Sequence, residues 1–263
     1  MDMNTLAERY REDGYVSGVP ILSADETAAH RRALEDAEAA QGPLHFKAKL
    51  HTVMTSPYQL ATHPKVLDVV EALIGPDILL YDVTYIIKEP HTASHVSWHQ
   101  DLTYWGLSDD AQVSMWLALS PATEVSGCMR MVPGSHTRGR FDHEVTEDDT
   151  NVLFQGQTVR DVAEEDAVMC PLAPGEASFH HGWVLHASMP NASDDRRIGL
   201  NVQYLASHVR QTKHDLDTAM LVRGADPYGH FGQDLPATAE FAPAAVARWH
   251  ELDRLHIETQ GTS

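Results

Sequence analysis

Basic charge is scarce in this chain. Lysine and arginine total 19 against 38 acidic residues, only five of the 19 are lysine, and the formal charge is −19. A surface of that sign repels polyanions, which argues against nucleic acid and anionic membranes as partners. Cysteine is nearly absent. Cys128 and Cys170 stand 42 residues apart with no C-x-x-C pair, so neither a zinc ribbon nor a disulfide scaffold is expected and a reducing, cytoplasmic compartment is. No apolar run approaches the ~18 residues of a membrane span. The opening MDMNTLAERYREDG has neither a basic start nor an apolar stretch, so no signal peptide is expected.

What is present is an ordinary globular composition, 43% hydrophobic and 22% charged over 263 residues, enough to bury a core without staples. The outlier is 17 histidines, which directs attention to a metal site.

Residues 4–13 read as a helix ended by Gly14, and Tyr15–Leu22 as a short strand. Ser23-Ala-Asp-Glu26 is a capping box that opens a helix running to Gln41, before Gly42-Pro43. His63–Ile74 reads as another helix, stopped by Gly75-Pro76. After Pro76 the texture changes to strand-like runs, at Ile78–Lys88, Gln112–Leu119, Ala177–Phe179 and Ile198–Leu205, with turn signals between them. Phe141–Asp166 holds nine carboxylates and Arg160 as its one arginine or lysine, the composition of a solvated insertion or flap. A last helix is expected over Pro243–Leu255. Helices followed by many short strands suggest a β-sandwich or open barrel buttressed by helices. The chain reads as one domain over 1–263: a helical buttress to about 76, a β core over 77–207, and a loop and helix over 208–263.

Trp98-His99-Gln100-Asp101 places an imidazole and a carboxylate two residues apart, the spacing that puts both on one face of a strand. Such a pair is common by chance among so many histidines. A third donor, best supplied by His186, completes a two-histidine, one-carboxylate set with open positions, the pattern of non-heme Fe(II) oxygenases. His180 and His181 are the alternative third donors. The turn cluster Pro190–Asp195 folds the chain after His186 back into the run from Arg197. Arg197 offers the planar fork that suits the far carboxylate of a 2-oxoacid.

Four stretches in order carry a wider likeness: Trp98-His-Gln-Asp101 followed by Thr103-Tyr-Trp-Gly106; Val113-Ser-Met-Trp-Leu-Ala-Leu119; Gly127-Cys-Met-Arg-Met-Val-Pro-Gly-Ser-His136; and His186-Ala-Ser-Met-Pro-Asn-Ala-Ser193, ending at Arg197. The chain resembles the phytanoyl-CoA dioxygenase family of Fe(II)/2-oxoglutarate oxygenases. The resemblance implies a mainly-β, double-stranded β-helix (jelly roll, cupin-like) fold with flanking N-terminal and C-terminal helices. It implies Fe(II) held by His99, Asp101 and His186, and 2-oxoglutarate clamped at its far carboxylate by Arg197 with help from the Ser188 hydroxyl. It also places Trp116 as an aromatic wall beside the cosubstrate and Lys49, or Lys47, as a second cation. O2 is the co-reactant, and succinate and CO2 are released. Halogenating relatives lack the carboxylate ligand. Asp101 is kept here, which favours hydroxylation of an unactivated C–H bond.

The shortage of lysine favours a small or medium free metabolite over a polyanionic acyl-CoA as the substrate. Two other readings use the same fold: a cupin-like metal enzyme without 2-oxoglutarate, and a catalytically silent binding protein. Outside the motif, His136, His91 and His95 read as turn and loop residues, Arg196 as the surface neighbour of Arg197, and Arg223 as a candidate substrate contact.

Overall fold

Local chemistry sets the element ends in this computed structural model, which describes residues 2–153 and 156–261. Helix α1 (Met3–Asp13) starts where the Asp2 carboxylate accepts from Thr5 N at 3.0 Å and stops at Gly14. Gly14 has φ +82°, and a Cβ there would come within 2.4 Å of Val184, so both backbone and packing require glycine. Strand β1 (Tyr15–Pro20) follows. The capping box forms as expected: Ser23 N donates to Glu26 Oε2 at 2.8 Å, and Ser23 Oγ accepts from Glu26 N at 3.3 Å, opening α2 (Ala24–Gln41). Helix α4 (Pro64–Ile74) begins with proline after the His63 cap and buries Val66, Leu67, Val69 and Val70. It is preceded by α3 (Thr55–Ala61), whose seven residues are too few to show a helical period in the sequence.

The remaining elements are β2 (Ile78–Lys88), β3 (Val96–His99), α5 (Leu102–Trp105), β4 (Gln112–Ala118), β5 (Met129–Met131), β6 (Val168–Cys170), β7 (Glu176–His180), β8 (His186–Ser188), β9 (Arg197–Ala206), β10 (Thr218–Arg223), β11 (Gly232–Gln233) and α6 (Pro243–Gly261). They form two sheets, ordered β1-β7-β4-β9-β2-β10-β11 and β3-β8-β5-β6. This is the mainly-β, double-stranded β-helix class with flanking helices. The long strands β2, β4 and β9 fall on the runs read from sequence. Strands β5, β6 and β8, three residues each, are too short to show alternation. The segment after residue 207 adds β10 and β11 to the expected loop and helix.

The chain forms two compact units. One comprises Met1–Thr27, Ile87–Thr103 and Trp116–Gly199; the other Ala28–Ile86, Tyr104–Met115 and Leu200–Ser263. The first unit holds the four-stranded sheet. There β8 pairs antiparallel with β3 and β5, setting His186 opposite both His99 and Met131. One face of this sheet is apolar: Trp98, Val132, Leu185 and Ala187 are buried with Val159, and Phe141, Val162 and Ala167 pack against them. The acidic stretch is therefore a flap with two sides. Phe141, Val159 and Val162 cover the sheet, while all nine carboxylates are exposed; residues 154 and 155 within it lie outside the described residues. In the second unit, Lys49, Asp82, Asp217 and Asp234 make a buried polar cluster. Among the described residues no helix is long and apolar enough to cross a membrane.

Candidate active site

Strand alternation turns Trp98 into the apolar layer and His99 to the opposite face of the four-stranded sheet. Pairing of β3 with β8 then sets His186 beside His99, with ring centroids 4.0 Å apart. Asp101 arrives by a different route from the one its spacing suggested. Strand β3 ends at His99, and Asp101 lies in the turn before α5. Gln100, fully buried, holds that turn: its Nε2 donates to Gly139 O and Trp183 O, and its Oε1 accepts from Phe141 N. The turn delivers the carboxylate so that Asp101 Oδ1 stands 3.4 Å from His99 Nε2 and 3.6 Å from His186 Nε2.

These three side chains are the group among the described residues that could hold a metal ion, each offering one donor atom within 4.8 Å of the others. Their chemistry fits a divalent cation. His99 Nδ1 donates to Ser97 O at 2.9 Å and His186 Nδ1 to Val184 O at 3.0 Å. Since a carbonyl only accepts, the proton sits on Nδ1 in both rings, and each Nε2 presents a lone pair toward the cluster. Burial, and then His99, push the His186 pKa well below the usual histidine range, which keeps the imidazole neutral. Burial pulls the Asp101 carboxyl upward, but His186, His180 and His99 outweigh it and hold the group well below the usual carboxylate range.

His180, one of the alternative third donors, is instead a neighbour of the acid. Its Nε2 lies 3.3 Å from Asp101 Oδ2, the oxygen turned away from the other two histidines. Donation from His180 to Oδ2 fixes which oxygen faces them. Replacing it, as His180→Phe, is expected to weaken divalent-metal affinity about 10- to 100-fold, read by competition with a chromophoric chelator; unchanged affinity would show that Asp101 is oriented without it. His181 packs against Tyr10 and His136.

A second cluster lies in the same unit. Arg197, at the start of β9, is 1% exposed and sits over the Trp116 ring, with Cζ 5.0 Å from the centroid. Its Nε and Nη2 are buried and hydrogen-bonded to nothing among the described residues, and burial lowers its pKa to about 10. A buried guanidinium with empty donors is costly unless an anion meets it, and a ligand carboxylate fits. Ser188 lies two residues beyond His186 on β8 and is buried. Gly199, two residues along β9, lies against the same indole: a Cβ there would come within 1.9 Å of the Trp116 ring. Gly199→Ala is therefore expected to displace the indole and cost roughly 1–3 kcal/mol, measured as a lower urea midpoint.

Lys49, named from sequence as a candidate second cation, is engaged within the second unit. Lys49 Nζ donates to Tyr81 O at 2.5 Å, Thr218 O at 2.6 Å and Asp234 Oδ2 at 3.2 Å. Its three N–H groups are consumed, and it neutralises a buried carboxylate of its own unit. Lys47 Nζ faces Asp253 at 3.6 Å. A buried lysine that the sequence reading did not single out is Lys88, at the end of β2. It is 2% exposed and donates to Ser188 Oγ at 2.7 Å. A lysine closing a strand otherwise buried along nearly its whole length was the available signal. Arg223 is paired with Asp68 and Glu71 on α4, which occupies it as a surface ion pair, and Arg196 pairs with Glu89 as a surface neighbour should.

Fold and site together define a jelly-roll protein with a candidate metal centre of two histidines and one carboxylate. The phytanoyl-CoA dioxygenase (PhyH) family model matches residues 10–199, and the chain belongs to that family. It is similar to the solved non-heme monooxygenase ThoJ in its apo form, at 31% identity and TM-score 0.82 over 96% of this chain and 99% of that one. It is also similar to the non-heme alpha-ketoglutarate-dependent carbocyclase SnoK from nogalamycin biosynthesis, at 25% identity and TM-score 0.65 over 90% and 94%. Among curated proteins, the 1-deoxypentalenic acid 11-beta-hydroxylase of Streptomyces arenae is 30% identical over 148 residues, 52% of this chain and 51% of that protein. The chain thus matches about half the length of such curated relatives.

Proposed function

We propose that the protein is an Fe(II)/2-oxoglutarate-dependent oxygenase that hydroxylates an unactivated C–H bond of a small or medium-sized metabolite. The observation that carries this reading is the pairing, within one unit, of a buried three-donor cluster with a buried arginine whose Nε and Nη2 have no partner. Iron(II) would be held by His99, Asp101 and His186, and when bound it supplies O2 activation coupled to the conversion of 2-oxoglutarate to succinate and CO2. The protein's part is placement and exclusion of water. The Nδ1–H bonds to Ser97 and Val184 keep both imidazoles in the metal-binding tautomer. Arg197, stacked on Trp116, receives the far carboxylate of the cosubstrate and leaves its keto-acid end for the metal. The flap residues Phe141, Val159 and Val162 cover the sheet behind His99. Similarity to a monooxygenase, an alpha-ketoglutarate-dependent carbocyclase and a hydroxylase supports the oxygenase class. The acidic surface and five lysines support a free metabolite over an acyl-CoA.

The test is anaerobic. Metal-free protein is loaded with Fe(II), 2-oxoglutarate is added, and the visible charge-transfer band of the chelate is followed. A band supports the reading. Iron binding without a band would favour a cupin-like enzyme that does not use 2-oxoglutarate, and no iron binding would leave a binding protein on the same fold.

A further inference from the structure

Lys88 is a second buried cation beside Arg197. Its ammonium donates to Ser188 Oγ at 2.7 Å, to Ser188 O at 3.1 Å and to Met189 O at 2.5 Å. Asn191 Nδ2 donates to Lys88 O and Asp195 O, which ties the end of β2 to the turn between Ser188 and Arg197. Arg197 and Cys128 are the ionisable groups that act on it. Burial, and then Arg197, lower its pKa to about 6. No carboxylate is paired with either cation among the described residues. Burial and Arg197 thus disfavour the ammonium form in the ligand-free protein, and a ligand that brings negative charge would restore it.

The link runs through Ser188. A hydroxyl has one proton to give and two lone pairs to receive with. Its oxygen already accepts from Lys88, and it donates to no acceptor among the described residues. The proton is therefore available to a ligand.

We infer that Lys88 is a positioning residue: by occupying the Ser188 oxygen it turns the Ser188 hydroxyl outward as a donor beside Arg197, and so makes this pocket selective for a dianionic 2-oxoacid over a monoanionic one. The inference rests on the 2-oxoglutarate reading above and adds a residue and a selectivity to it. A lysine that merely tied down the turn carbonyls would stabilise the hairpin without discriminating between ligands.

The experiment is calorimetric titration of Fe(II)-loaded protein under anaerobic conditions. The probes are 2-oxoglutarate and 2-oxovalerate, which has the same chain length without the far carboxylate. Lys88→Met is expected to weaken 2-oxoglutarate about 10- to 100-fold, the range for losing a charge-supported hydrogen bond, and to leave 2-oxovalerate within about twofold. The Lys88→Met/Ser188→Ala double variant is expected to bind 2-oxoglutarate no more weakly than the weaker single variant, because the two act as one unit. An unchanged 2-oxoglutarate to 2-oxovalerate ratio in Lys88→Met overturns the inference, as do additive losses. If Lys88→Met fails to fold or to hold iron, Ser188→Ala, which leaves Lys88 in place and removes the hydroxyl it orients, decides by the same ratio: a ratio equal to that of the unmodified protein overturns the inference and a reduced one supports it. Failure of the unmodified protein to bind 2-oxoglutarate would instead sink the oxygenase reading itself, which a changed variant alone would not.

Discussion

With Asp101 replaced by alanine, Fe(II) affinity is expected to fall by more than about 100-fold, and the anaerobic 2-oxoglutarate band to disappear. Removing an outer partner of a metal ligand already costs 10- to 100-fold, and this variant removes a ligand together with the negative charge. What remains is a set of imidazoles, with the His180 and His186 centroids 4.6 Å apart and those of His99 and His186 4.0 Å apart. None offers the anionic donor that Fe(II) favours. Asp101→Asn keeps the shape and loses the charge, so it isolates the electrostatic part. The measurement is iron retained after gel filtration, together with the metal-dependent rise in melting temperature, since a metal that binds the folded state stabilises it. Iron retention and a full thermal shift in Asp101→Ala would mean that the metal site has been assigned to the wrong residues.

Arg197→Met is expected to separate binding from stability. In the ligand-free protein the guanidinium is buried without a counterion, and replacing such a charge by an apolar side chain of similar length is often neutral or stabilising. The melting temperature of the metal-free protein should therefore hold or rise. Affinity for 2-oxoglutarate should nevertheless fall by roughly 2–5 kcal/mol, the range for removing one partner of a buried charge pair, or about 30- to several-thousand-fold. Titration with 2-oxoglutarate and a melting curve on the same sample check both halves. A variant that melts much lower and still binds 2-oxoglutarate normally would show that Arg197 is structural.

Much of the fold was legible because it is written in short-range chemistry. Ser23 and Glu26 cap α2 through contacts three residues apart. Gly14 and the His63-Pro64 pair mark helix ends by backbone conformation. The long strands show as apolar runs between turns. Less legible were α3, α5, β5, β6 and β8, where three to seven residues give at most two repeats of the period, too few to stand out. The reason given for Asp101 was local and incomplete: alternation places His99, but a turn held by Gln100 places the acid.

By itself the sequence determined the class of chemistry on offer. It held a His-x-Asp pair, a later histidine, and an arginine eleven residues beyond it, in an order that resembles one family. Its 19 basic against 38 acidic residues argue against a polyanionic partner. Tertiary structure decided which other residues join them. Lys88 meets Ser188 across 100 residues of chain, and His180 meets Asp101 across 79. Lys49 proved to be spent on Asp234, 185 residues away. Composition and spacing cannot say which buried cation has a carboxylate partner and which has none. That difference comes from long-range strand pairing and desolvation, and in this protein it separates Lys49, paired with Asp234, from Lys88, which meets a hydroxyl and two carbonyls.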